Sequence, residues 1–255
     1  MAYEFEAAFD LQGKTALVTG GAAGIGLAIS QLFASRGANL VMLDSSSTVS
    51  QVAKSLPGTV GERLGVQGDV TSAKDCEDVV ATTLARFKAL DILVNNAGIG
   101  PLAPAEETTE ANFDRTMAVN LKGPFLMARA AGKAMIQQRQ GRIVNIASQA
   151  SVVALDKHLA YCTSKAGLVG MTKVLACEWA QYGITVNAIS PTVVETELAR
   201  VYWVGERAEA MKRRIPTGRF AQPEEIAAAV LYLVSGVAGM ITGENLIIDG
   251  GYTIQ

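Results

Sequence analysis

Three residues in one stretch of the 255-residue chain have the types and spacing for proton transfer at an alcohol or a carbonyl: Ser148, Tyr161 and Lys165, within RIVNIASQASVVALDKHLAYCTSKAGL. A β-branched run ends at Ser148, and a helical pattern then carries Tyr161 and Lys165. Their four-residue separation sets both side chains on one helix face, with Cβ atoms about 5–6 Å apart. A tyrosine with an ordinary pKa near 10 is a poor base at neutral pH. A lysine ammonium about 4 Å away is worth about 4 kcal/mol at an effective dielectric near 20, or roughly three pK units. The spacing therefore predicts a phenol drawn down into the range of general acid–base work. A serine hydroxyl at the strand end would hold the oxygen that gains or loses the proton. Taken alone, Tyr-x-x-x-Lys is equally an exposed helix face with a lysine lying along it. The surroundings must separate the two.

Those surroundings alternate strand-like and helical runs. Strands are expected over 14–19, 39–44, 63–67, 91–95, 142–147, 184–190 and 245–249, and helices from Gly24, between 44 and 63, from Ser72, and over about 109–139, 159–181, 196–213 and 223–235. Such alternation argues for an α/β fold, a parallel sheet with helices on both faces. Hydrophobic residues at 49% and charged residues at 18% suit a well-filled core in one domain, and a net charge of −2 gives no electrostatic reason to expect nucleic acid. The N-terminal MAYEFEAAFDLQGK carries Glu4, Glu6 and Asp10 and lacks the apolar core of a secretory signal, while the apolar run 226–234 is far shorter than a membrane span. A cytoplasmic location is expected. Cys76, Cys162 and Cys177 have no CxxC spacing and no partner histidines, so they read as free thiols and no metal is expected.

The first strand runs into Thr19-Gly20-Gly21-Ala22-Ala23-Gly24-Ile25-Gly26 and then a helix. Glycines there let the backbone approach a pyrophosphate, and the helix N-terminus offers unpaired N–H groups and the positive end of its dipole. Asp44 ends the second strand, placed to accept hydrogen bonds from ribose hydroxyls and to repel a 2′-phosphate. No Arg or Lys occupies 21–23 or 45–47, so NAD is expected over NADP. Asp44 also reads as the start of the Ser45–Ser47 turn. Asp69 and Val70 close the third strand, beside the expected adenine. In Asp91-Ile92-Leu93-Val94-Asn95-Asn96-Ala97-Gly98 a buried strand meets a turn; Asn95 reads as scaffold, and Asn96 and Gly98 read either way.

With these residues in place the chain resembles the short-chain dehydrogenase/reductase family over essentially its full length. The match comprises the TGxxxGxG turn, Asp69-Val70, Asn95-Asn96-Ala97-Gly98, Asn120, Ser148, Tyr161 and Lys165. The resemblance implies a single-domain, Rossmann-type, doubly wound parallel sheet of seven strands, with the cofactor part over about 14–150 and the catalytic and substrate part over about 148–255. It implies Tyr161 as acid–base, Lys165 on the nicotinamide ribose, Ser148 on the substrate oxygen and Asn120 holding a water of the proton relay. Gly20, Ala23, Gly24, Ile25, Gly26, Asp44, Asp69, Val70, Asn96, Ala97, Gly98, Tyr161 and Lys165 would bind cofactor. Pro191, Val194 and Thr196 match the segment around the nicotinamide.

Thr192 departs from the glycine common after that proline. The departure, with Gln149, His158 and Trp203, resembles the L-xylulose (dicarbonyl) reductase and polyol dehydrogenase branch, where matching residues line the substrate pocket together with Ser148. That implies interconversion of a polyol and its ketose. Gln149 and His158 also read as loop and helix-end residues, and Trp203 as ordinary packing. A 3-oxoacyl thioester reductase or hydroxysteroid dehydrogenase shares the catalytic residues and remains the alternative; a non-catalytic dinucleotide sensor is the distant one. The resemblance further implies a homo-oligomer, a tetramer foremost, packed through the two long helices, with no membrane or nucleic-acid partner.

Overall fold

The computed structural model describes Ala7–Gln255; Glu4 and Glu6 of the N-terminal reading lie outside the described residues. Seven strands form one sheet: β1 (Thr15–Thr19), β2 (Asn39–Asp44), β3 (Arg63–Gln67), β4 (Ile92–Asn95), β5 (Gly141–Ile146), β6 (Ile184–Pro191) and β7 (Asn245–Ile248). All neighbouring pairs are parallel, in the order β3-β2-β1-β4-β5-β6-β7. Every residue of β1 and of β6 is buried, as expected where helices cover both faces.

Strand alternation divides the core in two. Ala16 and Val18 of β1 face one cluster with Ile29 and Phe33 of α1 (Gly24–Ser35), Ala53 of α2 (Val49–Ser55) and Val230 of α9 (Pro223–Val234). Leu17 faces the other, with Val79 of α3 (Ala73–Phe87) and Met127 of α5 (Gly123–Gln138). Ser72 starts α3 by accepting a hydrogen bond from the Asp75 amide at 3.2 Å. The chain order reverses between β1 and β4, and the crevice outside the strand C-termini at that point is where a doubly wound sheet binds its ligand. No helix among the described residues is long and apolar enough to cross a membrane.

Three expectations change in detail. The run 109–139 is α4 (Glu110–Met117), a wide π turn (Ala118–Lys122) and α5, because Asn120 is drawn out of regular register by partners on other elements. The run 196–213 is α7 (Glu197–Tyr202) and α8 (Gly205–Arg213), broken where Trp203 turns inward to pack. Asp69 and Val70 lie beyond β3 in the following loop, where Asp69 Oδ1 accepts from the Thr71 amide at 2.8 Å and the turn ends pairing.

Candidate active site

The turn after β1 has the form a phosphate needs. Gly20 and Gly24 adopt φ of +62° and +53°, in the left-handed region that favours glycine. A Cβ on Gly26 would lie 2.0 Å from the Gly20 carbonyl oxygen, so only glycine lets α1 start this close to the turn. Ala23 precedes α1 with no side-chain cap, which leaves the first N–H groups of a twelve-residue helix facing the crevice. Asn96 fixes the turn from the neighbouring strand: its Nδ2 donates to the Thr19 and Gly20 carbonyls at 3.0 Å each. Of its two readings, the side chain serves the scaffold of the cradle, while Gly98 stands open to the cleft.

Asp44 starts the Ser45–Ser47 turn and faces the cleft. Its Oδ1 accepts from the Ser46 amide and its Oδ2 from the Ala22 amide, each at 3.0 Å, and it lines the same cleft. The carboxylate is thus held against the glycine turn with lone pairs remaining for ribose hydroxyls. Ile25, Asp69, Val70, Ala97, Pro191, Val194 and Thr196 also line this cleft, whose volume is about 1130 Å³. Thr196 caps α7, accepting from the Ala199 amide at 3.2 Å, and its methyl stands 3.2 Å from a Cβ position on Gly24. The 191–196 segment therefore closes over the turn.

The Ser–Tyr–Lys set assembles on β5 and α6 (Leu159–Trp179). Ser148 follows β5 and accepts from the Ala150 amide at 3.2 Å. Lys165 is buried, and its ammonium donates to the Ile146 carbonyl at 2.7 Å and lies 5.6 Å from the Tyr161 ring centre. Burial pushes the Lys165 ammonium down to about 8. Burial also raises the Tyr161 phenol above its ordinary value, with the Ser148 hydroxyl pulling the other way. The expected lowering by Lys165 is therefore corrected: the ammonium is turned to a carbonyl and both groups pay desolvation, so neither charged form is favoured here.

The Asn120 side chain ties two elements together. Its Nδ2 donates to the Ile99 carbonyl at 2.8 Å and to Ser164 Oγ at 3.1 Å, and its Oδ1 accepts from the Ile99 amide at 2.8 Å. Both N–H groups are spent on tying the loop after β4 to α6. A second buried chain runs parallel to it. Asn95 Nδ2 donates to Asn145 Oδ1 at 2.8 Å, Asn145 Nδ2 to Thr172 Oγ1 at 2.9 Å, and Thr172 Oγ1 to the Leu168 carbonyl at 2.8 Å.

Around the set lie the residues expected to meet substrate. His158 precedes α6, its ring edge-on to Tyr161 at 6.0 Å, and Nδ1 lies 2.5 Å from the Asp156 carbonyl oxygen. A carbonyl only accepts, so Nδ1 carries a proton, and in the neutral ring Nε2 is an acceptor. Trp203 packs on Phe220 at 5.8 Å and on Tyr202 at 5.4 Å, within a small separate core formed by Ala208, Met211, Ile215, Phe220 and Tyr252. Gln149 is 2% exposed, and its Oε1 is buried with no hydrogen-bond partner among the described residues. The sequence reading missed Arg207, Arg214 and Tyr252 as cleft-lining residues. Arg207 lies 3.6 Å over the Tyr202 ring. Only an aromatic pair followed by a basic helix hinted at this wall.

A parallel sheet whose first turn is shaped for a pyrophosphate, and whose later strand ends gather serine, tyrosine and lysine, defines a dinucleotide-dependent oxidoreductase. The sequence family described as enoyl-(acyl carrier protein) reductase matches residues 20–253. The chain is 52% identical over 251 residues to an NAD-dependent glycerol dehydrogenase of Listeria innocua serovar 6a, covering 98% of each. It is 51% identical to a D-threitol dehydrogenase of Mycolicibacterium smegmatis, covering 97% of this chain and 95% of that one. A crystal structure of a short-chain type dehydrogenase/reductase from Mycobacterium marinum superposes with a TM-score of 0.93 at 34% identity, covering 99% and 100%. The chain belongs to the short-chain dehydrogenase/reductase family.

Proposed function

We propose that the protein is an NAD-dependent polyol dehydrogenase, interconverting a secondary alcohol of a small sugar alcohol and the corresponding ketose. The observation that carries the substrate class is Gln149. A buried amide oxygen without a partner costs about 1–3 kcal/mol, and a hydroxyl-rich ligand relieves that cost where a hydrocarbon would not. His158 adds an acceptor at Nε2, and Trp203 an apolar wall. Relatives that act on glycerol and D-threitol support the same class.

The residues fit the cofactor. The glycine turn and the uncapped start of α1 would take the pyrophosphate, Asp44 the ribose hydroxyls, and Pro191, Val194 and Thr196 the nicotinamide end. When bound, NAD supplies the hydride acceptor. Ser148 and Tyr161 hold the substrate hydroxyl, and Tyr161 takes its proton. Lys165, held to the Ile146 carbonyl, would meet the nicotinamide ribose. Asn120 would hold a water of the proton relay, while its side-chain amide ties α6 to the loop after β4.

Assembly is proposed to be a homo-oligomer, a tetramer foremost, in the cytoplasm. Gly167 is used within the chain, its Cβ position 2.9 Å from Leu121, but Gly170 has open space and Phe125 and Val174 are exposed on the same two long helices.

The test is a set of initial rates with NAD⁺ and NADP⁺ over C3–C6 polyols, simple secondary alcohols, a steroid and a 3-hydroxyacyl thioester. Turnover of polyols with NAD⁺ is expected. Turnover of the thioester or the steroid alone would establish the alternative and overturn the reading of Gln149.

A further inference from the structure

Thr192 follows Pro191, the last residue of β6, and lines the cleft. It is 9% exposed, and its Oγ1 is buried with no hydrogen-bond partner among the described residues. Its backbone is fixed on both sides. The Thr192 amide donates to the Ile248 carbonyl at 3.0 Å, and the next carbonyl, of Val193, accepts from the Ala221 amide at 3.0 Å. A β-branched side chain on a fixed backbone has few rotamers, so the hydroxyl is rigidly presented. The Gln149 turn is tied to the same place, because Ser151 Oγ and Ser190 Oγ lie 3.1 Å apart across the ends of β5 and β6. Two unpartnered buried oxygens, one on each strand end, therefore stand in one wall of one cleft.

We propose that Thr192 is a specificity-determining residue whose hydroxyl, together with the Gln149 amide, engages a substrate hydroxyl other than the one being oxidised. The proposal rests on the polyol reading and deepens it: the substrate is required to carry a second hydroxyl next to the reacting carbon. A site built to bond a hydroxyl discriminates strongly against the analogue that lacks it, since the protein's own polar groups are then left unpaired. A mono-alcohol of the same carbon skeleton would leave both oxygens unsatisfied.

The experiment compares full-length wild type with Thr192→Val, which keeps the shape and removes the hydroxyl, and Thr192→Ser, which keeps the hydroxyl. Initial rates with NAD⁺ on glycerol, threitol and 2-butanol give a ratio of kcat/KM for polyol over mono-alcohol, and fluorescence titration gives NADH affinity. The expected result is a fall of about tenfold or more in that ratio for Thr192→Val, with the ratio held within threefold in Thr192→Ser and NADH affinity unchanged in both. Thr192→Ala serves the same purpose if the valine variant does not fold. A ratio that stays put in the folded variant overturns the proposal while leaving the polyol reading intact. Equal losses on every substrate with weaker NADH binding also overturn it, by assigning the hydroxyl to the cofactor. Wild type silent on both polyols overturns the polyol reading and this proposal together.

Discussion

At the scale of single residues the site is governed by desolvation. Tyr161 is raised by burial and Lys165 is lowered to about 8, so the phenolate needed for alcohol oxidation gains population as pH rises. Oxidation kcat/KM should therefore climb steadily as pH rises from about 7 to beyond 10, and ketone reduction, which needs the protonated phenol, should stay level until pH passes the ordinary phenol value of about 10; pH–rate profiles in both directions check this. Tyr161→Phe should abolish turnover and leave NADH binding within a few fold, read by fluorescence titration. Lys165 also makes a stability statement. Its folded value near 8 lies below the unfolded 10.5, so the unfolded chain holds more protons between those values and stability rises with pH across that window. In Lys165→Met that contribution is absent. The difference in unfolding free energy between the two proteins should shift toward wild type by about 2–3 kcal/mol from pH 7 to pH 10.5. A pH-independent difference in denaturant melts would show that the ammonium is not desolvated.

Elements matter here as carriers that must be held in register. Lys165, Leu168 and Thr172 share the face of α6 that meets β5, and two polar anchors fix it there: Lys165 to the Ile146 carbonyl and Asn145 to Thr172. Asn145 also reaches Asn95 on β4, so one fully buried amide couples the cofactor loop to the catalytic helix. Asn145→Leu removes both bonds and leaves Asn95 Nδ2 buried without its partner, while Thr172 keeps its bond to the Leu168 carbonyl, which should cost about 1–3 kcal/mol. Because about 1 Å of misplacement costs on the order of a hundredfold in rate, kcat should fall about 10–100-fold while NADH affinity stays within threefold. Chemical denaturation and steady-state kinetics on the same preparation separate the two effects. A stability loss with unchanged kcat would make the chain purely structural.

For the whole molecule, cofactor choice and substrate closure fall to different regions. The β1–β2 end would present Asp44 to the ribose, and Asp44→Asn keeps the shape while removing the charge. The preference for NAD⁺ over NADP⁺, measured as a ratio of kcat/KM, should drop at least about tenfold, since at an effective dielectric near 20 repulsion of a nearby phosphate is worth several kcal/mol. The other end is closed by α7, α8 and the 215–220 segment, which have their own small core around Phe220 and Tyr252 rather than a share in the sheet's two cores.

What the sequence by itself determined was whatever depends on neighbours along the chain. The limits of β2 and β3, the glycine turn before α1 and the i, i+4 pairing of Tyr161 with Lys165 follow from side-chain period, turn chemistry and helix geometry, all short-range. The alternation of strands and helices likewise made the parallel sheet legible. Tertiary structure alone decided the rest. That Asn120 spends its amide on Ile99 and Ser164, that α4 and α5 are separated by a π turn, and that the Tyr161 phenol is raised rather than lowered all depend on groups distant in sequence. Gln149 and Thr192 mark the limit most clearly. The residue type of Gln149 suggested a polar wall and Thr192 stood out only as a departure from glycine, but whether a buried oxygen has a partner is fixed by every element packed around it, and no run of sequence contains that count.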